Sequence, residues 1–282
     1  MPLLYYWQPD NYRRDLDYGV GYHLNQSNEI MHSVDVGDFL WAFTRTKFGK
    51  YALAAKLAVR AKTINPPKFR YGRYRIWGDL KLSSFFQVEG QPNAETLIRG
   101  LSIKAEAKIL AQSFQGRAAV RRINQFESDV IAEFTRRFPI EPRANILPEE
   151  RLEALLLYGN AREVEKLIRE EKNGVSKKRQ EYLYQFAAKR KHLFAIRLQK
   201  IYDGKCQLCL WAPRKLYGEN LCHGHHINWL SRGGDDAIAN LVLVCPNHHA
   251  AIHQCDAVFD WGKKGFYFSE GNIQMIQLNR HL

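Results

Sequence analysis

The chain has 282 residues, of which 45% are apolar, 12% aromatic and 25% charged; this is the make-up of a folded globular protein of about two domains and excludes a disordered or fibrous chain. Its 42 lysines and arginines against 29 aspartates and glutamates give a formal charge of +13, so a polyanion is the expected partner. The longest apolar runs, such as Ala154 to Tyr158, fall far short of the roughly 20 residues that a membrane-spanning helix needs, and Met1 to Asp10 lacks a basic-then-apolar signal pattern, so a cytoplasmic location without membrane contact is expected.

In chain order, Leu3 to Trp7, Phe39 to Thr44, Tyr51 to Arg60 and Tyr74 to Trp77 are rich in aromatic and β-branched residues and read as strands. Val36-Gly37-Asp38 and Asn65-Pro66-Pro67 supply turns. Ala94 to Ala111 and Gln125 to Phe138 carry apolar residues at helical spacing, so the first domain, residues 1–140, is predicted to be mixed α/β, a small barrel with flanking helices. Pro139, Pro142 and Pro148 punctuate the chain, and Pro148 before Glu149 and Glu150 resembles a helix start. Residues 141–200 are predicted to be a helical connector of two helices, Arg151 to Glu171 and Ser176 to Tyr202, separated by Asn173-Gly174. The second holds eight lysines or arginines against Glu181 alone, which makes it, with Lys189 and Arg190, a candidate for phosphate contact.

All five cysteines lie in the last third of the chain, and from Cys206 onward they share it with seven of its ten histidines, a mixture that points to metal rather than to disulfides. Cys206-x-x-Cys209 follows the turn Asp203-Gly204, and Cys245-x-x-His248 follows the apolar run Leu241 to Val244. Two such half-sites predict a structural zinc held by Cys206, Cys209, Cys245 and His248. Cys222 or His223 is an alternative for one ligand, although neither has a partner at half-site spacing, and Cys255 reads as a small apolar residue.

Between the half-sites stand Gly224-His225-His226-Ile227, Gly233-Gly234-Asp235 and Asn240-Leu241, with His249 directly after and His253 one helical turn later. In this order the elements resemble the zinc-bound HNH endonucleases of the ββα-metal superfamily, which places that fold at residues 201–282. The resemblance implies metal-dependent hydrolysis of DNA phosphodiesters, with His226 as general base and Asn240 as the residue that organises the loop aiming it. His225, His249 and His253 are then ligands of a catalytic cation, Mg2+ or Mn2+, though imidazole ligation also admits Ni2+ or Co2+. His225 and His226 are neighbours in one strand and should point to opposite faces, whereas His249 and His253 share one helix face. Gly233 and Gly234 permit a tight loop, and Trp229 stands where this family often has proline.

An HNH module reads little sequence, so the first domain is the expected reader. Tyr5 to Trp7, Val36 to Phe43 and Lys68 to Trp77 interleave aromatics, glycines and cations, and Gly37-Asp38-Phe39-Leu40-Trp41 looks similar to the PUA-like barrels, EVE domains included, that take a flipped or modified base into an aromatic pocket. That resemblance makes Trp7, Trp41, Phe43 and Trp77 pocket candidates. Separately, Ser113 to Arg117 sets Gly116 beside small polar and basic groups, which makes Arg117 a candidate for close approach to a nucleic-acid backbone, the alternative being an ordinary turn. The expectation is therefore an α+β, zinc-stapled restriction endonuclease that cuts double-stranded, modified DNA. A homodimer would bring one site to each strand. The alternatives are a nickase or mobile-element endonuclease for plain DNA, or a nucleic-acid-binding regulator without activity.

Overall fold

The computed structural model describes residues 1–18, 23–79, 81–141, 153, 155, 161–170, 181, 193–230, 234–235, 237–268 and 271–282. The chain divides into two compact units, Met1–Leu16 with Gly21–Ala144, and Asp17–Val20 with Asn145–Leu282. Both mix helix and strand. Among the described residues, no helix is long and apolar enough to cross a membrane.

The first unit is built on seven strands: β1 (Leu3–Tyr6), β2 (His23–Gln26), β3 (Phe39–Arg45), β4 (Tyr51–Ile64), β5 (Tyr74–Gly78), β6 (Ser84–Phe85) and β7 (Val120–Arg122). Their order is β2-β5-β4-β3-β1-β7, with β6 on β4. The 14-residue β4 pairs with β3 through Ala58 and with β5 from Val59 onward, so one strand serves two parts of a curled sheet. Its alanines favour strand weakly, but the stretch from Tyr51 to Ala55 is buried at every position, and packing on both faces overrides that preference. Helix α1 (Pro9–Tyr18) lies between β1 and β2 in the chain. Against the sheet pack α2 (Glu95–Arg99), α3 (Gln125–Thr135) and a 3-10 turn at Leu110–Phe114, around Leu4, Tyr6, Phe43, Ile98, Phe114 and Ile131.

Two parts of this unit differ from the sequence expectation. The stretch Ala94 to Ala111, predicted as one helix, is helical only over Glu95–Arg99. Gly100 closes that turn by donating its N–H to the Thr96 and Leu97 carbonyls, and the Arg99 guanidinium then takes the carbonyls of Ala105 and Lys108, holding the following loop. Helix α1 and strand β2 fall where no element was predicted; Pro9 and Asp10 are start signals, but only Tyr12 and Leu16 supply an apolar stripe. Helix α3 opens on a capping box between Asn124 and Glu127.

The second unit contains α4 (Ala161–Glu170), α5 (Leu193–Tyr202), α6 (Pro213–Tyr217), the antiparallel pair β8 (His223–His226) and β9 (Leu241–Val244), α7 (Pro246–Gln254) and a sheet of β10 (Val258–Asp260), β11 (Gly265–Tyr267) and β12 (Ile273–Met275). Strand β9, Leu-Val-Leu-Val, is buried on both faces. One core joins Leu198 and Tyr202 of α5, all of β9, Ile252 of α7, and Phe259 and Phe266. The C-terminal segment is held by Gln207, whose side chain accepts from the Leu243 N–H and donates to the Leu278 carbonyl. Most of the rest of the helical connector, including Asn173-Gly174, Lys189 and Arg190, lies outside the described residues, although Glu153 is described.

Candidate active site and metal centres

Pairing of β8 with β9 sets His225 opposite Val242 and His226 opposite Leu241, and α7 follows β9 directly, with Pro246 at its first turn. The strand β8 and the helix α7 thus deliver four histidines, His225, His226, His249 and His253, the four-residue step of α7 putting the rings of the last two 4.5 Å apart. The loop between β8 and β9 is fixed by Asn240. Its amide donates to the carbonyls of Asn228 (2.9 Å) and Asp235 (2.7 Å), and its oxygen accepts from the Asn228 N–H (2.8 Å). Every one of these bonds is to loop backbone. Gly234 is forced, because a Cβ there would stand 1.8 Å from the Asn228 carbonyl oxygen. Gly233 lies outside the described residues. Replacing Asn240 with alanine leaves three backbone groups without those partners; the expected cost is about 1–3 kcal/mol, read as a lowered unfolding midpoint in urea.

The histidines converge on a residue that the sequence analysis did not single out. Glu153 is fully buried, 72 positions upstream of His225. Its Oε1 accepts from the backbone N–H of His226 and from His226 Nδ1, both at 2.7 Å. Its Oε2 lies 3.2 Å from His225 Nδ1, 2.9 Å from His249 Nε2 and 3.0 Å from His253 Nε2, and those last two nitrogens are 3.3 Å apart. Burial pushes the Glu153 carboxyl up, but His225, His226 and His249 more than offset it and hold the group well below the usual carboxylate range. Burial holds His225 down at about 4, against the pull of Glu153, so its imidazole is neutral and offers a lone pair. The other nitrogen of His225, Nε2, is buried without a hydrogen-bond partner, so only the cluster fixes its tautomer.

Glu153, His225, His249 and His253 form a candidate metal group, each with a ligand atom within 4.8 Å of the others. Three ring nitrogens crowd one oxygen that has too few lone pairs for three N–H donors, which a shared cation relieves. The separations of 2.9–3.3 Å also match neighbouring ligands around an ion at about 2.1 Å, whose edges are about 3.0 Å in an octahedron and 3.4 Å in a tetrahedron. His226 stands outside this group, on the other carboxylate oxygen.

The second candidate metal group is Cys206, Cys209, Cys245 and His248. Cys209 and Cys245 sulfurs are 3.9 Å apart, and His248 Nδ1 lies 3.7 Å from Cys206 Sγ and 3.0 Å from Cys245 Sγ. A tetrahedral zinc sets such edges at about 3.6–3.8 Å. Burial pushes the Cys206 thiol up to about 12 and raises Cys245 as well, so without a cation these two sulfurs stay protonated; with one they ionise. The side-chain amide of Gln274 stands 2.8 Å from His248 Nε2, the outer contact that orients a ligating imidazole. Cys222, buried, stands outside the group, and so do the half-buried His223 and the exposed Cys255.

In the first unit, Trp7, Trp41 and Phe43 are buried: Trp7 packs edge-on to Tyr12, Trp41 donates to Ser128, and Phe43 packs on Tyr6 and Phe114. Arg117 is exposed, its carbonyl taking the Asn28 amide. Trp77 belongs to a polar face on β2, β5 and β4. There His23 lies opposite Trp77, and Asn25, Arg75 and Thr63 are aligned across the three strands. Arg75 is buried, its Nε donating to Asn25, with its guanidinium over the rings of Phe69 (5.1 Å) and Trp77 (5.0 Å). Among the described residues, no carboxylate pairs with it, and burial lowers it to about 9, so it stays charged at neutral pH. Asn65, hydrogen-bonded to Asn25, keeps a buried side-chain oxygen without a partner among the described residues.

Comparison with known proteins bears on the second unit. Residues 206–254 match the HNH endonuclease family. The match takes in Cys206, Cys209, Cys245 and His248, together with His225, His226, Asn240, His249 and His253, and leaves Glu153 outside it. No curated protein matches the chain. Among solved structures, it is similar to the modification-dependent TagI restriction endonuclease, at 11% identity over 92% of this chain and 63% of that one, with a TM-score of 0.27. It is also similar to the type IV phosphorothioation-dependent restriction endonuclease ScoMcrA, at 13% identity over 88% of this chain and 46% of that one, with a TM-score of 0.22. The chain thus spans less than two thirds of either protein, and TM-scores of this size fix no shared fold.

Proposed function

We propose that the chain is a metal-dependent DNA endonuclease whose HNH domain hydrolyses the phosphodiester bond, and whose first unit selects modified DNA. The observation that carries the cutting activity is the convergence of His225, His249, His253 and Glu153 beside His226. An ionised carboxylate only accepts, so Glu153 Oε1 requires the proton of His226 on Nδ1. That leaves Nε2 as the basic nitrogen, the one that takes a proton from the attacking water. Asn240 holds the loop after β8, which keeps His226 at a fixed angle. A divalent ion held by the four-residue group, Mg2+ or Mn2+, supplies positive charge for the scissile phosphate and the leaving oxygen. The zinc group ties the start of α7 to the Cys206 turn, so the helix that carries His249 and His253 is anchored at its first turn.

The selecting role rests on the polar face of the first unit. A charged guanidinium flanked by two aromatic rings, next to an unmet amide oxygen, offers donors, an acceptor and stacking surface at once. Those are the groups that hold an unstacked base. The +13 charge supplies attraction to the backbone that carries no sequence information. The test is cleavage of matched plasmids, unmodified, methylated, hydroxymethylated, glucosylated and phosphorothioated, with Mg2+ or Mn2+. Cutting of one modified plasmid alone, lost in Arg75→Gln while a non-specific nick with Mn2+ persists, supports the reading. Equal cutting of every plasmid removes the selecting role and leaves the nuclease.

A further inference from the structure

We infer that Glu153 is a working part of the nuclease centre, one carboxylate oxygen being a fourth protein ligand of the catalytic ion and the other positioning the base His226. The inference rests on the nuclease reading and adds to it a residue that lies outside the HNH match.

The two oxygens face different partners. Oε1 takes two hydrogen bonds from a single residue, the N–H and the ring Nδ1–H of His226, each 2.7 Å long. Ring and backbone are thereby clamped to one acceptor, which fixes both the rotamer and the tautomer of the base. Oε2 lies among the three other imidazoles at 2.9, 3.0 and 3.2 Å. A carboxylate buried to this depth needs opposite charge or full hydrogen bonding, and among the described residues these four histidines are what meets it.

The distances separate a ligand from a cover. Two N–H donors sharing Oε2 as a common acceptor would spread along its lone pairs and leave the ring nitrogens about 5 Å apart. They stand instead as one neighbour stands to another around an ion, as does the 3.3 Å edge between His249 and His253. The position also explains how two adjacent strand residues serve one site without sharing a ligand shell. His225 and His226 meet opposite oxygens of one carboxylate, so the ion and the base are held in fixed relation by one side chain.

The experiment uses the zinc-loaded full chain without DNA and titrates MnCl2 by calorimetry into the protein, Glu153→Gln and Glu153→Ala, with zinc content and thermal melting as controls on folding. Both variants are expected to weaken Mn2+ binding by about 10-fold or more, the scale of effects around metal ligands. They then part in cleavage at saturating Mn2+: Glu153→Gln keeps an amide oxygen for His226 and recovers much of kcat, whereas Glu153→Ala stays about 100-fold down. Mn2+ affinity that is unchanged or tighter, with equal or faster cleavage, overturns the inference and makes Glu153 a removable cover. Should either variant fail to fold, crystals of the wild type soaked in MnCl2 decide: Glu153 Oε2 within about 2.3 Å of the ion supports the inference, and a displaced carboxylate overturns it. A wild type that binds Mn2+ through Glu153 and cuts no DNA counts against the nuclease reading alone.

Discussion

Replacing His226 with alanine is expected to lower kcat for DNA cleavage by about 10^2- to 10^4-fold, the contribution of a positioned general base, with little change in KM. The base acts only as the proton leaves water, so substrate binding does not use it. His226 is fully buried against Glu153, and its loss frees Oε1 from both the ring and the geometry that aims the main-chain N–H. Steady-state kinetics on supercoiled plasmid, run beside thermal melting and zinc content, separate lost chemistry from lost fold. His226→Gln, close in size but unable to take a proton, is expected to be as slow as His226→Ala. A variant that keeps the wild-type rate contradicts the role of His226.

The second large effect concerns the zinc group. Cys245 sits at the N-terminus of α7 and its carbonyl accepts from the His249 N–H, so it belongs both to the candidate Cys/His metal group and to the first turn of the helix that carries His249 and His253. Cys245→Ser is expected to lose the bound zinc and unfold the second unit, because structural zinc contributes an apparent 10–16 kcal/mol to sites of this kind, more than the whole stability of a typical domain. Far-ultraviolet circular dichroism with a strong chelator should give the wild type the same loss, reversed by added Zn2+. A chelated protein that keeps its α7 signal and its melting midpoint shows that the four residues do not hold the fold.

The parts of the site that could be read from the sequence are those written in one short segment. Cys206 and Cys209, Cys245 and His248, and His249 with His253 keep spacings that a turn or a helix imposes locally. Glu153 could not be found that way, since its partners lie 72 to 100 positions downstream and only the tertiary fold brings them together. Its one trace is an acid beside the apolar run Leu155 to Leu157, where a carboxylate is costly unless it is paired. In the first unit, aromatics drew attention because they are conspicuous, yet Trp41 and Phe43 pack into the core. The polar face is assembled by register instead: Asn25, Arg75 and Thr63 meet across three strands, and no periodicity in one strand announces the other two. The long helix predicted over Ala94 to Ala111 shows the same limit, for its apolar spacing is real but Arg99 holds the following carbonyls out of helical bonding.

Metal add-back is the most direct test of the central claim. The zinc-loaded protein, freed of loosely held divalent ions, is mixed with supercoiled plasmid of each modification state, with and without Mn2+ or Mg2+, beside the double variant His249→Ala, His253→Ala. The expected result is nicking or linearisation only when the ion is returned, and none from the variant although it retains its zinc. Cleavage that needs no added ion, or that survives loss of both histidines, would contradict the assignment of this cluster as the nuclease centre.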